Sequence, residues 1–178
     1  TQNKLLIGAA NVATFLGTAD ETLGVRITNG FLGLVLYSGS GPASGYAMKV
    51  GGTAELVGID GLTLIGSPSV EINTSGVDVN QNVTVGSDTN VQILFTTDAL
   101  VQRLSGQITL GLGNFVTLTG VFSIEKQTTT LSTRILIAAS GVEAFLGSLD
   151  TDGTEEIGLK VKNGEVGLVL IKDVGATT

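Results

Sequence analysis

The chain has 178 residues and a formal net charge of −7, and it contains neither histidine nor cysteine. These absences exclude histidine-dependent triads, thiol nucleophiles, and zinc or iron–sulfur sites, while the acidic balance argues against binding nucleic acid. Hydrophobic residues make up 42% of the chain but aromatic residues only 4%, which favours narrow aliphatic strands over a core built on large rings.

Alternating apolar residues predict β-strands along most of the chain. The first pair of strands surrounds Asn29-Gly30, and a matching pair surrounds Asn163-Gly164. Because Asn and Gly both tolerate positive φ, this dipeptide predicts a two-residue hairpin turn at each place. Between these pairs we expect further strands over residues 46–50, 62–65, 70–72, 77–79, 83–85, 91–95, 107–110, 115–118 and 121–125.

Three segments carry signals for short helical turns. Ala10–Leu16, Thr97–Leu104 and Ser140–Leu146 each have Ser, Asn or Asp near a possible N-cap position and Gly or Ser at the end. A bulged loop is the alternative at each position.

Two segments of the chain recur. Residues 4–17 return as residues 134–147, and residues 24–36 return as residues 158–170, with half of the paired positions identical. A long fixed period is the signature of an array whose units bury their apolar faces against neighbours. We therefore expect a full repeat unit in residues 1–130 and the start of a second unit in residues 131–178.

The predicted fold class is all-β, with two architectures left open. The Asn-Gly hairpins favour antiparallel pairing in a repeat-built β-sandwich-like or stacked β module. A weaker period of about 43 residues, together with the glycine-marked corners, favours a β-solenoid instead. No run approaches the roughly 18 apolar residues that a membrane span requires, so we expect none.

The densest acidic cluster spans residues 150–156. Alternate carboxylates followed by glycine resemble the start of a calcium loop, in which oxygen atoms converge on a hard cation. This pattern predicts calcium as the cofactor, with four ligands: Asp150, Asp152, Glu155 and Glu156. The alternative is a solvated turn in which Asp caps the backbone and Gly supplies positive φ.

We expect no enzymatic activity and no catalytic residue. Paired carboxylates could in principle cleave glycosidic bonds, and the chain has 16 acidic residues. Glycosidases usually add aromatic platforms for the sugar, whereas this chain has no tryptophan and only 2 tyrosines.

Several segments resemble repeat units of very large, repetitive secreted or surface proteins of bacteria. The resemblance lies in Asn11–Gly17, Asn29–Leu36, Gly58–Leu64 and Val116–Lys126. It implies an exported structural role, outside the cell or at its surface, and it assigns no functional residue.

Two functions follow as expectations. The first is a structural module of an extracellular fibre, sheath or surface layer that assembles with itself, head to tail, or with adjacent repeats. The second is a calcium-stabilised adhesin or binding module. For self-assembly, residues 131–178 should expose an apolar face that docks on the next subunit, with six expected members: Ile137, Val142, Phe145, Val166, Leu168 and Leu170.

Overall fold

Antiparallel strands account for most of the computed structural model, which describes residues 1–87, 89–113, 115–149 and 156–173. The strands are β1 (Gln2–Gly17), β2 (Gly24–Gly39), β3 (Gly45–Val57), β4 (Leu62–Gly66), β5 (Ser69–Asn73), β6 (Val79–Val85), β7 (Thr89–Phe95), β8 (Leu100–Leu112), β9 (Val116–Thr128), β10 (Ser132–Leu149) and β11 (Glu156–Asp173). The described residues form no helix. The predicted all-β class is therefore confirmed.

Nine strands form one large sheet, in the order β1-β2-β3-β4-β8-β9-β10-β11, with β5 also pairing with β3 and β8. β4 and β5 occupy the same position between β3 and β8, and Pro68 lies in the gap that separates them. Proline has no N–H to donate to a ladder, which explains an interruption at this point. The sheet is thus a meander that is eight strands wide.

A separate hairpin, β6–β7, packs on one face of this sheet, over β1, β2 and β3. Its entry is fixed by Asn73, whose fully buried amide donates to the carbonyl of Val77 (3.0 Å) and accepts from the backbone N–H of Ser75 (3.0 Å). The buried core lies between hairpin and sheet, and its cluster consists of Val35, Ala47, Val79, Val83, Ile93, Phe95 and Val101.

The predicted Asn-Gly hairpin turns are wrong. Asn29-Gly30 lies inside β2 and Asn163-Gly164 lies inside β11, with φ of 52° and 53° at the two asparagines. The left-handed residue makes a β-bulge, where the register with the neighbouring strand shifts, and the chain continues in the same direction. Between β1 and β2 the chain reverses instead at residues 18–23, where the N–H of Thr18 donates to the carbonyl of Leu23 (2.9 Å).

The predicted helical turns are also wrong. Ala10–Leu16 belongs to β1 and Ser140–Leu146 belongs to β10, while Thr97–Leu104 is a bend that leads into β8. Each of the two strands carries a bulge, with positive φ at Asn11 (55°) and Gly141 (58°). The polar and glycine residues that suggested helix caps therefore form bulges. A bulge was the alternative prediction for these two segments.

Every ladder among the described residues is antiparallel. This pairing fits a stacked or sandwich-like antiparallel module, whereas a β-solenoid stacks parallel strands. β10 pairs with β9 over most of its length, so β10 and β11 continue the sheet begun by β1–β9. The division into units at residue 130 stays a prediction.

Candidate assembly surfaces

The two faces of the large sheet differ sharply in polarity. Directly paired residues of neighbouring strands lie on the same face, so the pairing register traces rows across the sheet. One row is entirely apolar and runs from β2 to β11 through paired positions: Leu32, Val50, Val70, Leu104, Ile124, Ile137 and Leu168. We call the face that carries this row the apolar face.

The rest of the apolar face is built in the same way. β8 and β9 pair without a register shift, so their even-numbered residues all lie on this face; most are apolar, and Gln102, Lys126 and Thr128 lie at one end of it. A second apolar row lies beyond the bulges and comprises Leu64, Leu110, Leu118, Ala144 and Val161. Near the bulges of β1 and β2 the face has a shallow groove of about 370 Å³, lined largely by aliphatic side chains and glycines. No described strand packs on this face.

The opposite face carries the β6–β7 hairpin, and we call it the hairpin face. One position away from the apolar row, its paired residues form a polar ladder: Lys49, Glu71, Arg103 and Glu125. Lys49 Nζ lies 3.1 Å from Glu71 Oε1, and Arg103 Nη1 lies 2.7 Å from Glu71 Oε2. Arg103 also binds Glu125, which in turn accepts a hydrogen bond from Gln127.

The ladder determines the charge states of its members. Burial opposes ionisation of Glu71, but hydrogen bonds from Lys49 and Arg103 outweigh it and hold the pKa of this carboxyl below its ordinary value. Burial likewise opposes the charge of Arg103, but its bonds to Glu125 and Glu71 raise the pKa of the guanidinium. Since each charge in the ladder has an opposite partner, this cluster stabilises the sheet and offers no unpaired charge to a ligand.

Five of the six predicted assembly residues lie together on the apolar face. Ile137 pairs with Leu168 in the apolar row. Leu170 pairs with Ile135, which lies two residues before Ile137 and therefore on the same face. Val166 lies two residues before Leu168 and therefore points to the same face. Val142 lies at the bulge of β10 and also points to this face, close to Gly120. Val166, Leu168 and Leu170 are each about half exposed.

Phe145 does not belong to this surface. It lies between Ala144 and Leu146, which point to the apolar face, so its ring points to the hairpin face. There it covers the backbone of Gly147 and is only 9% exposed. Phe15 packs on Gly17 in the same way, so the sequence match reflects this local packing of an aromatic ring on a glycine.

The predicted calcium residues Asp150, Asp152 and Glu155 lie outside the described residues, as does the side chain of Glu156. Within the described part of the chain, no group of three or more acidic side chains could hold a metal ion. The segment between β1 and β2 is described: Asp20 accepts hydrogen bonds from the side chain (2.9 Å) and backbone (3.3 Å) of Thr22. Hydrogen bonds from Thr18 and Thr22 lower the pKa of Asp20.

The sheet ends in two open edges. β1 pairs only with β2, and β11 pairs only with β10, among the residues that the structure describes. An edge strand presents a row of unpaired N–H and C=O groups, which is a template for pairing with another strand. The molecule therefore presents an apolar face and two strand edges as its candidate surfaces for assembly.

No family model matches this chain, and no curated protein or solved structure is significantly similar to it. No helix capable of crossing a membrane occurs in the described part of the chain.

Sequence reasoning placed apolar residues only at the end of the chain and missed that the face extends across the whole sheet. The signal was the recurrence of apolar residues at even-numbered positions within a strand, for example Leu104, Ile108, Leu110 and Leu112 along β8. Recognising it as one face requires the register between strands, which the bulges shift and which no single segment reveals.

Proposed function

We propose that the chain is a structural module that assembles with copies of itself through the apolar face of its large sheet. The observation that supports this most directly is an aliphatic face, eight strands wide, on which no described element packs. Contiguous apolar surface of this extent marks an interaction site in a soluble protein, since single exposed apolar residues are normal but large patches are not.

The total accessible surface supports the same proposal. The chain exposes 11169 Å², whereas a compact monomer of 18.1 kDa exposes about 8,100 Å². The difference is about 3,000 Å² per chain, so two chains that buried all of it would remove about 6,000 Å² from solvent, an area of the order found at the largest permanent interfaces. Packing of a second apolar face onto the first would give a two-layer sandwich of the usual kind, with side chains of both faces interdigitating.

The hairpin face does not compete for this role. Over β1–β3 it is covered by β6 and β7, and further along the sheet it carries the polar ladder centred on Glu71 and Arg103. Covering this ladder with an apolar surface would desolvate its charges at considerable cost. Association through this part of the hairpin face is therefore disfavoured.

The setting that we propose is an extracellular fibre, sheath or surface layer in which the chain has a mechanical and not a catalytic role. The absence of cysteine and the resemblance of several segments to bacterial surface repeats support an exported location. The partner in this proposal is another copy of the same module.

The test uses a matched pair of substitutions on one strand. Ile124 and Val121 lie on β9, are 51% and 48% exposed, and point to the apolar face and the hairpin face respectively. Sedimentation velocity should show concentration-dependent association of the unchanged chain. Ile124→Lys should weaken it at least tenfold because each association would bury an unpaired ammonium, while Val121→Lys should leave it unchanged.

Two results would contradict the proposal. One is an unchanged chain that remains monomeric at millimolar concentration. The other is an equal effect of both lysines, which would show that added charge and not the identity of the face controls association. Circular dichroism of both variants checks that the sheet is intact.

A further inference from the structure

β11 repeats the backbone of β2 in detail. Val12 pairs with Gly30 in the first hairpin, and Val142 pairs with Gly164 in the second, with register shifts on both sides of each pair. The left-handed residues Asn29 and Asn163 have φ angles within a degree of each other, at 52° and 53°. The outer edges of β2 and β11 therefore have the same shape.

The two edges differ in whether a neighbouring strand is paired with them. The outer edge of β2 is paired with β3, from Gly24 opposite Val57 to Tyr37 opposite Gly45, with one shift at the bulge. The outer edge of β11 has no partner among the described residues. The molecule thus contains one edge with its strand in place and a copy of that edge that is open.

The side chains that β3 covers show what an added strand would bury. On the apolar face, Val25 and Leu32 of β2 are partly buried beside β3. Their counterparts in β11, Leu159 and Val166, are more than half exposed. The same contrast holds for Ile27 against Val161, Leu34 against Leu168 and Leu36 against Leu170.

The charges of β11 also complement β3. Glu55 of β3 lies opposite Arg26 of β2, with 4.0 Å between their charged atoms. At the position of Arg26, β11 has Lys160, which has the same charge. At the position of Phe31 it has Glu165, diagonal to the position that Lys49 of β3 occupies, and long side chains reach across such diagonals.

The bulge imposes a further requirement on the added strand. Opposite the bulge of β2, β3 has Gly51 and Gly52, and a Cβ on Gly52 would lie 3.0 Å from the carbonyl oxygen of Thr28 and 3.1 Å from Cα of Gly30. Larger residues would push the strand away from the edge. Since β11 has the same bulge at Asn163, its partner needs small residues at the same place.

We propose that the outer edge of β11 binds an extended strand with the side-chain pattern of β3, in the register that β3 adopts on β2. The partner has alternate apolar residues for the apolar face, an acidic residue opposite Lys160 and a glycine pair opposite the bulge. This inference rests on the proposed assembly function and gives the side-chain pattern of the strand that extends the sheet; β3 itself is paired on both sides, so the partner is a separate strand of the same pattern. Strand addition of this kind draws affinity from main-chain hydrogen bonds and specificity from alternate side chains.

The test measures binding of a labelled peptide with the sequence of residues 45–57, acetylated and amidated, to the full chain by fluorescence anisotropy. We expect saturable binding with one peptide per chain. A Gly52→Val peptide should fail to bind because its side chain meets the bulge. A Glu55→Lys peptide should bind about three- to tenfold more weakly, since it places like charges opposite one another.

The decisive arm is the charge swap. Lys160→Glu in the full chain should weaken binding of the unchanged peptide and restore binding of the Glu55→Lys peptide. Lys4→Glu, a reversal on the hairpin face of β1, is the matched control and should alter neither affinity. Restored binding identifies β11 as the site, because the edge of β2 is occupied and contains Arg26 instead.

Several results would overturn the inference: no binding, equal binding of the Gly52→Val peptide, or no restoration in the swap. Protection of β11 amides from hydrogen exchange without peptide, lost when β1 is altered, would assign the edge to β1 of a second copy and would also overturn it. Self-association that Ile124→Lys abolishes would still support the proposed function in these cases. The two failures are therefore distinguishable.

Discussion

Replacement of Glu71 by glutamine tests whether the polar ladder stabilises the sheet. Glu71 is 16% exposed and binds Lys49 and Arg103 with different oxygens, at 3.1 and 2.7 Å. Glutamine has the same shape but only one acceptor oxygen, so its NH₂ group must face one of the two cations. The substitution therefore removes a charge and sets two donors against each other without creating a cavity.

The expected loss follows from these contacts. Leaving partly buried charged donors without their acceptor costs about 1–3 kcal/mol in the free energy of unfolding. Glu55→Gln is the matched control: Glu55 is 52% exposed and lies 4.0 Å from Arg26, so its loss should cost less than about 1 kcal/mol. Urea denaturation at pH 7, followed by circular dichroism at low protein concentration, measures both.

The difference between the unchanged chain and Glu71→Gln should depend on pH. The folded-state pKa of Glu71 is lowered from its ordinary value of 4.5, so the stabilisation is present above that value. It should be lost as the pH falls through the lower, folded-state pKa, while Glu71→Gln lacks this dependence. A difference that stays constant down to pH 2, or equal losses for the two variants at pH 7, would refute the reasoning.

Three further predictions follow from the described packing and the acidic cluster. Ile93→Ala should cost about 2–5 kcal/mol in unfolding free energy because Ile93, on β7, is fully buried between the hairpin and the sheet, whereas Leu94→Ala on the exposed side of β7 should cost about 0.5 kcal/mol or less. Gly33→Ala should cost about 1–3 kcal/mol because its Cβ would lie 2.8 Å from Val91, while Gly167→Ala at the equivalent position meets no atom within 4 Å and should be tolerated; thermal unfolding compares them. If residues 150–156 bind calcium, millimolar calcium should raise the melting temperature relative to excess chelator, and superimposable melting curves would leave the turn interpretation.

The strand content of the fold was predictable, but the strand lengths were not. Alternation of apolar residues located nearly every strand, since a half-buried strand repeats its environment every two residues. The Asn-Gly signal at Asn29 was read as a turn because positive φ serves both a tight turn and a bulge. Which of the two forms depends on whether the preceding strand pairs along the full length, as β1 does with β2 and β10 does with β11, and that is a property of distant residues.

The candidate surface was predictable in part for the same reason. Period two places Ile137, Leu168 and Leu170 on one face within unbroken stretches, and the structure agrees. Phe145 was assigned to that face because the bulge at Gly141 shifts the parity of the residues beyond it. A one-residue shift transfers every following side chain to the opposite face.

The two copies of the hairpin differ where their surroundings differ. Gly8 lies under β6, where a Cβ would meet Val85 at 2.6 Å and Val83 at 2.7 Å, so the first copy has no room for a methyl group. The second copy has Ala138 at this position, and Ala138 is exposed. Phe31, which packs on Gly51 of β3, corresponds to Glu165 in the second copy. Conversely, the bulge asparagine and the glycine that follows it are kept, although no described strand lies beside the outer edge of β11. The bulge that shapes the strand edge is retained, whereas these two altered positions receive the hairpin or the neighbouring strand in the first copy. This division is what a strand edge requires if it is built to pair with a further strand.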